Sequence, residues 1–295
     1  MDTRCTNSRK SLQSAEVVRT DFFALSTAQR IRHLELEGYV VIPGLLRTDQ
    51  IEAIGAEIAS MPTRAVDYSP HQRGGLLQWP QTPTAMKLIA LPAMIEFLTA
   101  LLGDEIICTS CRFSISEPGH PGIAIHTDSQ PYGSKIFGLQ ASSPCLVRVL
   151  YYLDDLTPLR SPFKVIPRSH LSLHADAIPY KRYLRHDEEV LVTCKAGSAV
   201  LINQKVFHGN YPNYSDRDRR MLAIAYRPAW AGPVAEVPDH DASMLAALPQ
   251  DLRKFFRSLN TRDVEFDVPN RPNHLAETAP GISPSRWGLQ RGHQQ

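Results

Sequence analysis

Metal-binding chemistry is indicated by one short segment of the sequence. His126-Thr127-Asp128 closes the apolar run GIAI and opens the loop SQPYGS. Because side chains alternate between the two faces of a strand, His126 and Asp128 point to the same side. An imidazole and a carboxylate placed side by side can bind two adjacent positions on one metal ion. A surface loop can carry the same triplet by chance, so the interpretation requires a third partner.

A second histidine, His208, ends the run LINQKVF and enters the loop GNYPN. A single histidine of this kind is also typical of a hydrogen-bonded structural residue. Together with His126 and Asp128 it forms a two-histidine, one-carboxylate set, separated by 208 − 126 = 82 residues. Such a set occupies one face of an octahedral ion and leaves three positions open, as in non-heme Fe(II) oxygenases.

An arginine follows His208 by 219 − 208 = 11 residues. A chain that turns at YPNYSDRD and returns on the neighbouring strand would bring Arg219 close to the metal, where a guanidinium can hold a carboxylate through two hydrogen bonds. Arg220 is the alternative if the register differs by one residue. Arg217 and Asp218 are predicted to belong to a solvated turn.

The elements that must position these residues are short strands. Between about residues 104 and 230, runs rich in Val, Ile, Leu, Phe and Tyr alternate with Gly, Pro, Ser and Asp clusters, which is typical of an all-β sandwich or barrel. The run EVLVTCKAGSAVLINQKVFH suggests a hairpin that turns at residues 195–198.

Helices are predicted on either side of this β core. One begins at Ser26 and ends at Gly38, and a second is capped by Asp49. Residues 62–84 are predicted to be loop. Further helices are predicted at 84–102 and 241–258.

The chain is therefore predicted to be a single domain of 295 residues that is mainly β with flanking helices. We expect a loose N-terminal arm at 1–20, a helical region at 21–103, the β core at 104–230 and a C-terminal helix with an extended tail at 231–295.

Composition excludes several classes of partner. A net charge of +2, from 32 Lys and Arg against 30 Asp and Glu, gives no basic surface for nucleic acid. No secretory signal is expected from the polar N-terminus, and no membrane span is predicted. With five cysteines, an odd number, these features favour reduced thiols and a cytoplasmic location. Cys108 and Cys111 form a CxxC that is predicted to be two ordinary strand residues. The oligomeric state stays open.

Several motifs together resemble the phytanoyl-CoA dioxygenase family over roughly residues 30–230. They are HTD, VIPRSH at 165–170, FHGN, DRRMLAIAYRP and LEGYVVIPGLL. The resemblance implies a double-stranded β-helix (jelly-roll) core that uses Fe(II), 2-oxoglutarate and O₂. By carry-over His126, Asp128 and His208 would be the iron ligands, and Arg219 would bind the distal carboxylate of 2-oxoglutarate. Asn210 stands where some members place a small hydroxyl residue on the cosubstrate.

The implied reaction is hydroxylation of a C–H bond in a small molecule, with decarboxylation of 2-oxoglutarate to succinate and CO₂. The carboxylate at Asp128 disfavours halogenation. Candidate substrate contacts are Gln130, Tyr132, Arg148 and Trp230. Arg168, where glycine is usual in the family, puts the substrate class in question. Two alternatives stay open: a cupin-like metal enzyme that does not use 2-oxoglutarate, and a non-catalytic sensor on the same fold.

Overall fold

The computed structural model describes residues 20–127, 146–171, 176–233 and 236–262, together with the backbone of a short strand at 16–17. The strands are β1 (Glu16–Val17), β2 (Tyr39–Ile42), β3 (Arg64–Val66), β4 (Ser69–Leu76), β5 (Ile106–Ser116), β6 (Ile123–His126), β7 (Val147–Tyr152), β8 (Phe163–Ile166), β9 (Val190–Val192), β10 (Ala199–Asn203), β11 (Phe207–Asn210) and β12 (Arg219–Pro228). The α-helices are α1 (Thr27–Glu37), α2 (Thr48–Ala59), α3 (Pro83–Lys87), α4 (Pro92–Leu102), α5 (Ala242–Ala247) and α6 (Gln250–Arg253).

Two sheets form the β core. The larger has the strand order β2-β10-β7-β12-β5-β4-β3, and the smaller has the order β1-β9-β8-β11-β6. Neighbouring strands are antiparallel except for β1 and β9, which are parallel. Phe163 and Val165 of the smaller sheet share one buried apolar cluster with Leu150 and Val200 of the larger sheet. The predicted mainly-β architecture with flanking helices is confirmed.

The predicted hairpin at 195–198 is wrong. The segment does turn there, with the Ser198 amide donating to the Lys195 carbonyl at 3.1 Å. However, β9 pairs in the smaller sheet and β10 in the larger, so the turn is a corner between sheets. The prediction that the chain returns from His208 on a neighbouring strand is also wrong, because β11 belongs to the smaller sheet and β12 to the larger. Local alternation of side chains predicts strands but does not say which strand each one pairs with.

The region predicted to be helical also contributes strands. β2, β3 and β4 all belong to the larger sheet, so the loop predicted at 62–84 is wrong over much of its length. Gly74 and Gly75 make β4 difficult to recognise from the sequence, because glycine is depleted in strands. A Cβ at Gly74 would lie only 2.5 Å from the Phe113 carbonyl oxygen of β5, so close strand approach requires glycine there.

The helix boundaries follow the sequence signals with two corrections. α1 has Ser26 as its N-cap and Gly38 in the left-handed conformation as its C-cap, as predicted. In α2 the N-cap position is Arg47, and Asp49 lies in the first turn, where its negative charge suits the positive end of the helix dipole. The predicted helix at 241–258 is two short helices, α5 and α6.

The stretch Pro83–Leu102 is long and apolar enough to cross a membrane on length and composition alone. It is nevertheless divided into α3, a 3₁₀ turn (Leu88–Ala90) and α4. Half of it is buried, and Met86, Ile89 and Met94 lie in the main apolar cluster. The stretch therefore has the features of core helices.

The CxxC pair lies inside β5, as predicted for two ordinary strand residues. Cys108 is buried and Cys111 is partly buried, and both are free thiols. The Cys108 amide donates to the Phe255 carbonyl at 2.7 Å, which ties the C-terminal segment to the β core.

Candidate metal and cosubstrate site

The two predicted histidine ligands lie directly opposite each other on neighbouring strands. His126 of β6 and His208 of β11 are antiparallel partners in the smaller sheet. Their ring centroids are 4.5 Å apart, with the ring planes inclined at 45°. Residues 82 positions apart in the chain are thus brought within reach of one metal ion.

Both imidazoles are held in the same tautomer. His126 Nδ1 lies 2.9 Å from the Ala124 carbonyl oxygen, and His208 Nδ1 lies 3.0 Å from the Val206 carbonyl oxygen. Since a carbonyl can only accept, Nδ1 must carry the hydrogen in each ring. The lone pair is then on Nε2, the arrangement that main-chain acceptors impose on metal-binding histidines.

The third predicted ligand, Asp128, lies outside the described residues, as do the candidate substrate contacts Gln130 and Tyr132. Within the described part of the chain, no group of three His, Cys, Asp or Glu side chains is close enough to hold a metal. Asp128 follows His126 by two residues, so its role as the carboxylate ligand stays a prediction.

A glycine next to His208 allows the two histidine strands to approach. A Cβ at Gly209 would clash with the Ile123 carbonyl oxygen and would lie 3.0 Å from that of Ala124. Both carbonyls belong to β6, the strand that carries His126. Main chain cannot move aside as the end of a flexible side chain can, so glycine is required at this position.

We expect Gly209→Ala to push β6 away from β11 and to weaken metal binding by about tenfold or more, because overpacking against main chain shifts the strands. Metal affinity measured by calorimetry tests this. Gly55→Ala in α2 is the matched control, since its Cβ would meet only the end of the Arg220 side chain. Equal affinities in the two variants would contradict the prediction.

The predicted carboxylate-binding arginine is fully buried. Arg219 is 0% exposed, and its Nη2 donates to the Ser116 hydroxyl at 2.6 Å. Its guanidinium carbon lies 5.8 Å from the centre of the Tyr152 ring. The remaining donors Nε and Nη1 have no hydrogen-bond partner among the described residues. Burial lowers the pKa of Arg219, but a guanidinium keeps its charge in proteins. A buried cation with unused donors is well suited to bind an anion.

The structure also distinguishes Arg219 from Arg220, the two candidates that the sequence analysis left open. Arg220 points to the other side of β12 and pairs with Asp154, with Nη2 and Oδ1 2.7 Å apart. The main-chain amide of Arg220 donates to the same carboxylate at 2.7 Å. Arg220 is therefore already satisfied by a carboxylate of the protein, whereas Arg219 is not.

Sequence reasoning missed three side chains around Arg219. The Ser116 hydroxyl, which accepts from Arg219, donates to Gln72 Oε1 at 2.5 Å. The Tyr152 hydroxyl is buried and has no well-formed hydrogen bond with any described residue. Burial raises the pKa of Tyr152, and the nearby Asn210 side chain offsets a small part of that increase. No local motif marks these residues. Only the cross-strand register with Arg219 could have found Ser116.

Asn210 connects this polar group to the histidine pair. It is 5% exposed and follows His208 by two residues on β11, so both side chains lie on the same face. Its amide donates to the Ser161 carbonyl at 3.4 Å. Four polar side chains therefore follow one another from the smaller sheet to the larger: His208, Asn210, Tyr152 and Arg219.

A further histidine near Arg219 is kept neutral. His120 is fully buried, and its Nδ1 accepts from the Gly122 amide at 3.3 Å, so Nε2 carries the hydrogen. No described residue accepts from Nε2. Burial, followed by the charges of Arg219 and His71, lowers the pKa of His120 to about 4. At neutral pH the ring is an uncharged donor close to a buried cation.

This shift predicts a pH dependence of stability. Between pH 6.5 and about 4 the unfolded chain protonates His120 but the folded chain does not, so the free energy of unfolding decreases as the pH falls through this window. We expect His120 to account for about 2 kcal/mol of that decrease. Urea unfolding at pH 7 and pH 4.5 tests it, because His120→Gln should lose less stability than wild type. An identical loss in both proteins would contradict it.

The remaining candidate substrate contacts lie in different surroundings. Arg148 of β7 is half-buried and shares a face of the larger sheet with Leu150 and Tyr152. Trp230 lies in the turn after β12 and is 45% exposed.

A cavity of about 750 Å³ begins beside the Arg219 group. It shares Gln72 with that group and continues along β3, β4, β5 and β12. Ser114 and Met221, which lie two residues along the strands from Ser116 and Arg219 on the same face, line it. A small molecule bound in this cavity would therefore lie next to the polar group around Arg219.

The part of the chain that carries these residues matches a known protein family. The model of the phytanoyl-CoA dioxygenase family matches residues 34–221. The chain belongs to the phytanoyl-CoA dioxygenase family. The curated relative Dioxygenase trt7 of Aspergillus terreus is 21% identical over 234 residues, which cover 74% of this chain and 79% of the relative. The family predicted from the sequence motifs is confirmed, and membership supports Fe(II)- and 2-oxoglutarate-dependent oxygenase chemistry.

Solved structures show the same fold. HygX from Streptomyces hygroscopicus, crystallised with nickel, 2-oxoglutarate and hygromycin B, superposes with a TM-score of 0.57 at 18% identity over 75% of this chain and 94% of its own. The epimerase SnoN, in complex with Fe³⁺, α-ketoglutarate and nogalamycin RO, gives 0.58 at 17% identity over 74% and 92%. The carbocyclase SnoK from nogalamycin biosynthesis gives 0.57 at 20% identity over 71% and 87%. The predicted jelly-roll core is confirmed.

Proposed function

We propose that this member of the phytanoyl-CoA dioxygenase family is an Fe(II)- and 2-oxoglutarate-dependent dioxygenase that hydroxylates a C–H bond of a small molecule. The observation that carries the proposal is Arg219, a fully buried guanidinium with two donors that no described residue accepts from. A dicarboxylate cosubstrate supplies the anion that this cation needs. Its other end would then lie toward the histidine pair.

The residues present fit a ferrous ion. His126 and His208 offer two imidazole lone pairs from opposed strand positions, and Asp128 would add the carboxylate. Two histidines and one carboxylate leave three positions for cosubstrate and O₂. The iron, when bound, supplies oxygen activation coupled to decarboxylation of 2-oxoglutarate to succinate and CO₂, chemistry that side chains alone cannot perform.

The protein's own part is binding, orientation and exclusion of water. Arg219 would hold the distal carboxylate, with its remaining Nη2 donor fixed by Ser116. Because the guanidinium is buried, its attraction for a carboxylate is screened little by solvent. Asn210 and Tyr152 are the polar groups between the arginine and the histidines, so they would border the bound cosubstrate.

Several reactions can begin with removal of a hydrogen atom from the substrate, and hydroxylation is the one that we propose for this protein. The names of SnoN and SnoK describe an epimerase and a carbocyclase on this fold. In this proposal a substrate in the cavity beside the Arg219 group extends one C–H bond to the metal, and a hydroxyl group added to that carbon in place of the removed hydrogen atom gives an alcohol. A product that gains one oxygen atom supports hydroxylation, whereas an isomer or a cyclised product would replace it.

The proposed function is tested by turnover of the cosubstrate itself. Protein reconstituted with Fe(II) should release succinate from 2-oxoglutarate and consume O₂, slowly without substrate and faster with it. The same protein loaded with Zn(II) should release none. A cupin-like enzyme that does not use 2-oxoglutarate, or a non-catalytic sensor, would release no succinate with either metal.

A further inference from the structure

We propose that the substrate is a largely apolar small molecule bearing a carboxylate, and that Arg112 binds this carboxylate. The inference rests on the proposed function, since it assigns the occupant of the cavity beside the cosubstrate site. Three observations support it: the position of Arg112, the charges around it and the apolar walls of the cavities on either side.

Arg112 stands where two cavities meet. The cavity of about 750 Å³ and a second one of about 230 Å³ share Leu76, Gln78 and Arg112 as lining residues. The second cavity extends to Met244 and Phe256 of the C-terminal region. A molecule that fills both would pass directly by the Arg112 guanidinium and the Gln78 amide.

The strand register relates Arg112 to the cosubstrate arginine. Arg219 is paired with Ser116, and Ala223 is paired with Arg112, so both arginines lie on the same face of the larger sheet. Arg112 precedes Ser116 by four positions on β5, which is about 13 Å along a strand. The two cations can therefore bind two different anions, one on the cosubstrate and one on the substrate.

The charges around the two cavities are of one sign. Arg64, Arg73 and Arg112 line the larger cavity, and neither cavity has an Asp or Glu among its lining residues. Arg73 is paired with Glu117 at 2.7 Å, outside the lining. Arg64 and Arg112 form no ion pair with any residue that the structure describes. The recess thus attracts an anion, and a guanidinium can hold a carboxylate through two hydrogen bonds.

The walls on both sides of Arg112 are mainly apolar. The larger cavity is lined by Met61, Val66, Phe113, Met221 and Ala223 among others. The smaller is lined by Leu77, Trp79, Met86, Met244 and Phe256 among others. A volume of about 750 Å³ is within the range of sites for drug-sized molecules. The fitting occupant therefore has an apolar body next to its anionic group.

The test compares two probes that differ in charge, decanoate and decan-1-ol. Each is titrated by calorimetry into the protein loaded with Fe(II) and saturating 2-oxoglutarate without O₂. We expect decanoate to bind at least about tenfold more tightly than decan-1-ol, and Arg112→Gln to remove that preference. Arg112→Lys should keep part of it. Arg47→Gln, which removes an exposed arginine of α2, is the control and should keep all of it.

Equal binding of the two probes, no binding of decanoate, or full preference in Arg112→Gln would each overturn the inference. A separate titration of 2-oxoglutarate tells the two proposals apart. If wild type does not bind 2-oxoglutarate but still prefers decanoate in an Arg112-dependent way, the proposed function fails and the carboxylate site stands. If 2-oxoglutarate binds normally and Arg112→Gln has no effect, only the inference about the substrate fails.

Discussion

Arg219→Ala should weaken 2-oxoglutarate binding by at least about 100-fold, since breaking a buried ion pair by removing one partner costs about 3–5 kcal/mol. The wild-type guanidinium is fully buried and has two donors that no described residue uses. Without it, the distal carboxylate would be buried with no countercharge. Anaerobic titration of the Fe(II) protein with 2-oxoglutarate, followed by the metal-to-ligand charge-transfer absorption, measures the change.

Arg220→Ala is the matched control because the two arginines are adjacent in β12 and differ in their surroundings. Arg220 pairs with Asp154 on the other side of the strand, so its loss should lower stability and leave 2-oxoglutarate affinity within about threefold of wild type. If Arg219→Ala binds 2-oxoglutarate as tightly as wild type, Arg219 is not the residue that holds the distal carboxylate. If neither protein binds 2-oxoglutarate, a cupin-like enzyme that does not use this cosubstrate becomes the better interpretation.

The second large effect concerns the metal. We expect His208→Ala to lower Fe(II) affinity by about 100-fold or more and to abolish succinate release, because a facial site that loses one of its three ligands keeps too few to hold the ion. His208 is the cross-strand partner of His126, and both rings have the lone pair on Nε2. Competition with a chromogenic chelator measures the affinity, and succinate assay measures the turnover.

His186→Ala serves as the control for this experiment. His186 is also hydrogen-bonded to main chain, at Lys181, but its ring contacts Tyr180 and not the histidine pair. Its replacement should leave Fe(II) affinity unchanged. Normal metal binding by His208→Ala would show that the two opposed histidines are structural and would remove the basis of the oxygenase proposal.

The sequence singles out the polar residues of the candidate site because each of them adjoins an apolar run. His126 ends β6 and Arg219 begins β12, whereas His208 was predicted to end a strand and instead lies within β11, directly after Phe207. The family motifs then relate them to one another. The carboxylate at Asp128 was predicted in the same way, and it stays a prediction because it lies outside the described residues.

What the sequence could not predict depends on strand pairing between distant segments. The corner at 195–198 has the composition of a hairpin turn, and only the sheet order shows that β9 and β10 part there. β4 is difficult to recognise because it contains Gly74 and Gly75. Glycine is needed at both positions because a Cβ there would lie too close to Phe113 of β5. Ser116 and Tyr152 become part of the site only through their contacts with Arg219.

The most direct measurement is a crystal structure of the protein grown without O₂ in the presence of Fe(II) and 2-oxoglutarate. We predict one iron bound through Nε2 of both His126 and His208, with the distal carboxylate of 2-oxoglutarate on Nε and Nη1 of Arg219. A metal bound by only one of these histidines, or a 2-oxoglutarate carboxylate that lies away from Arg219, would contradict the proposed centre.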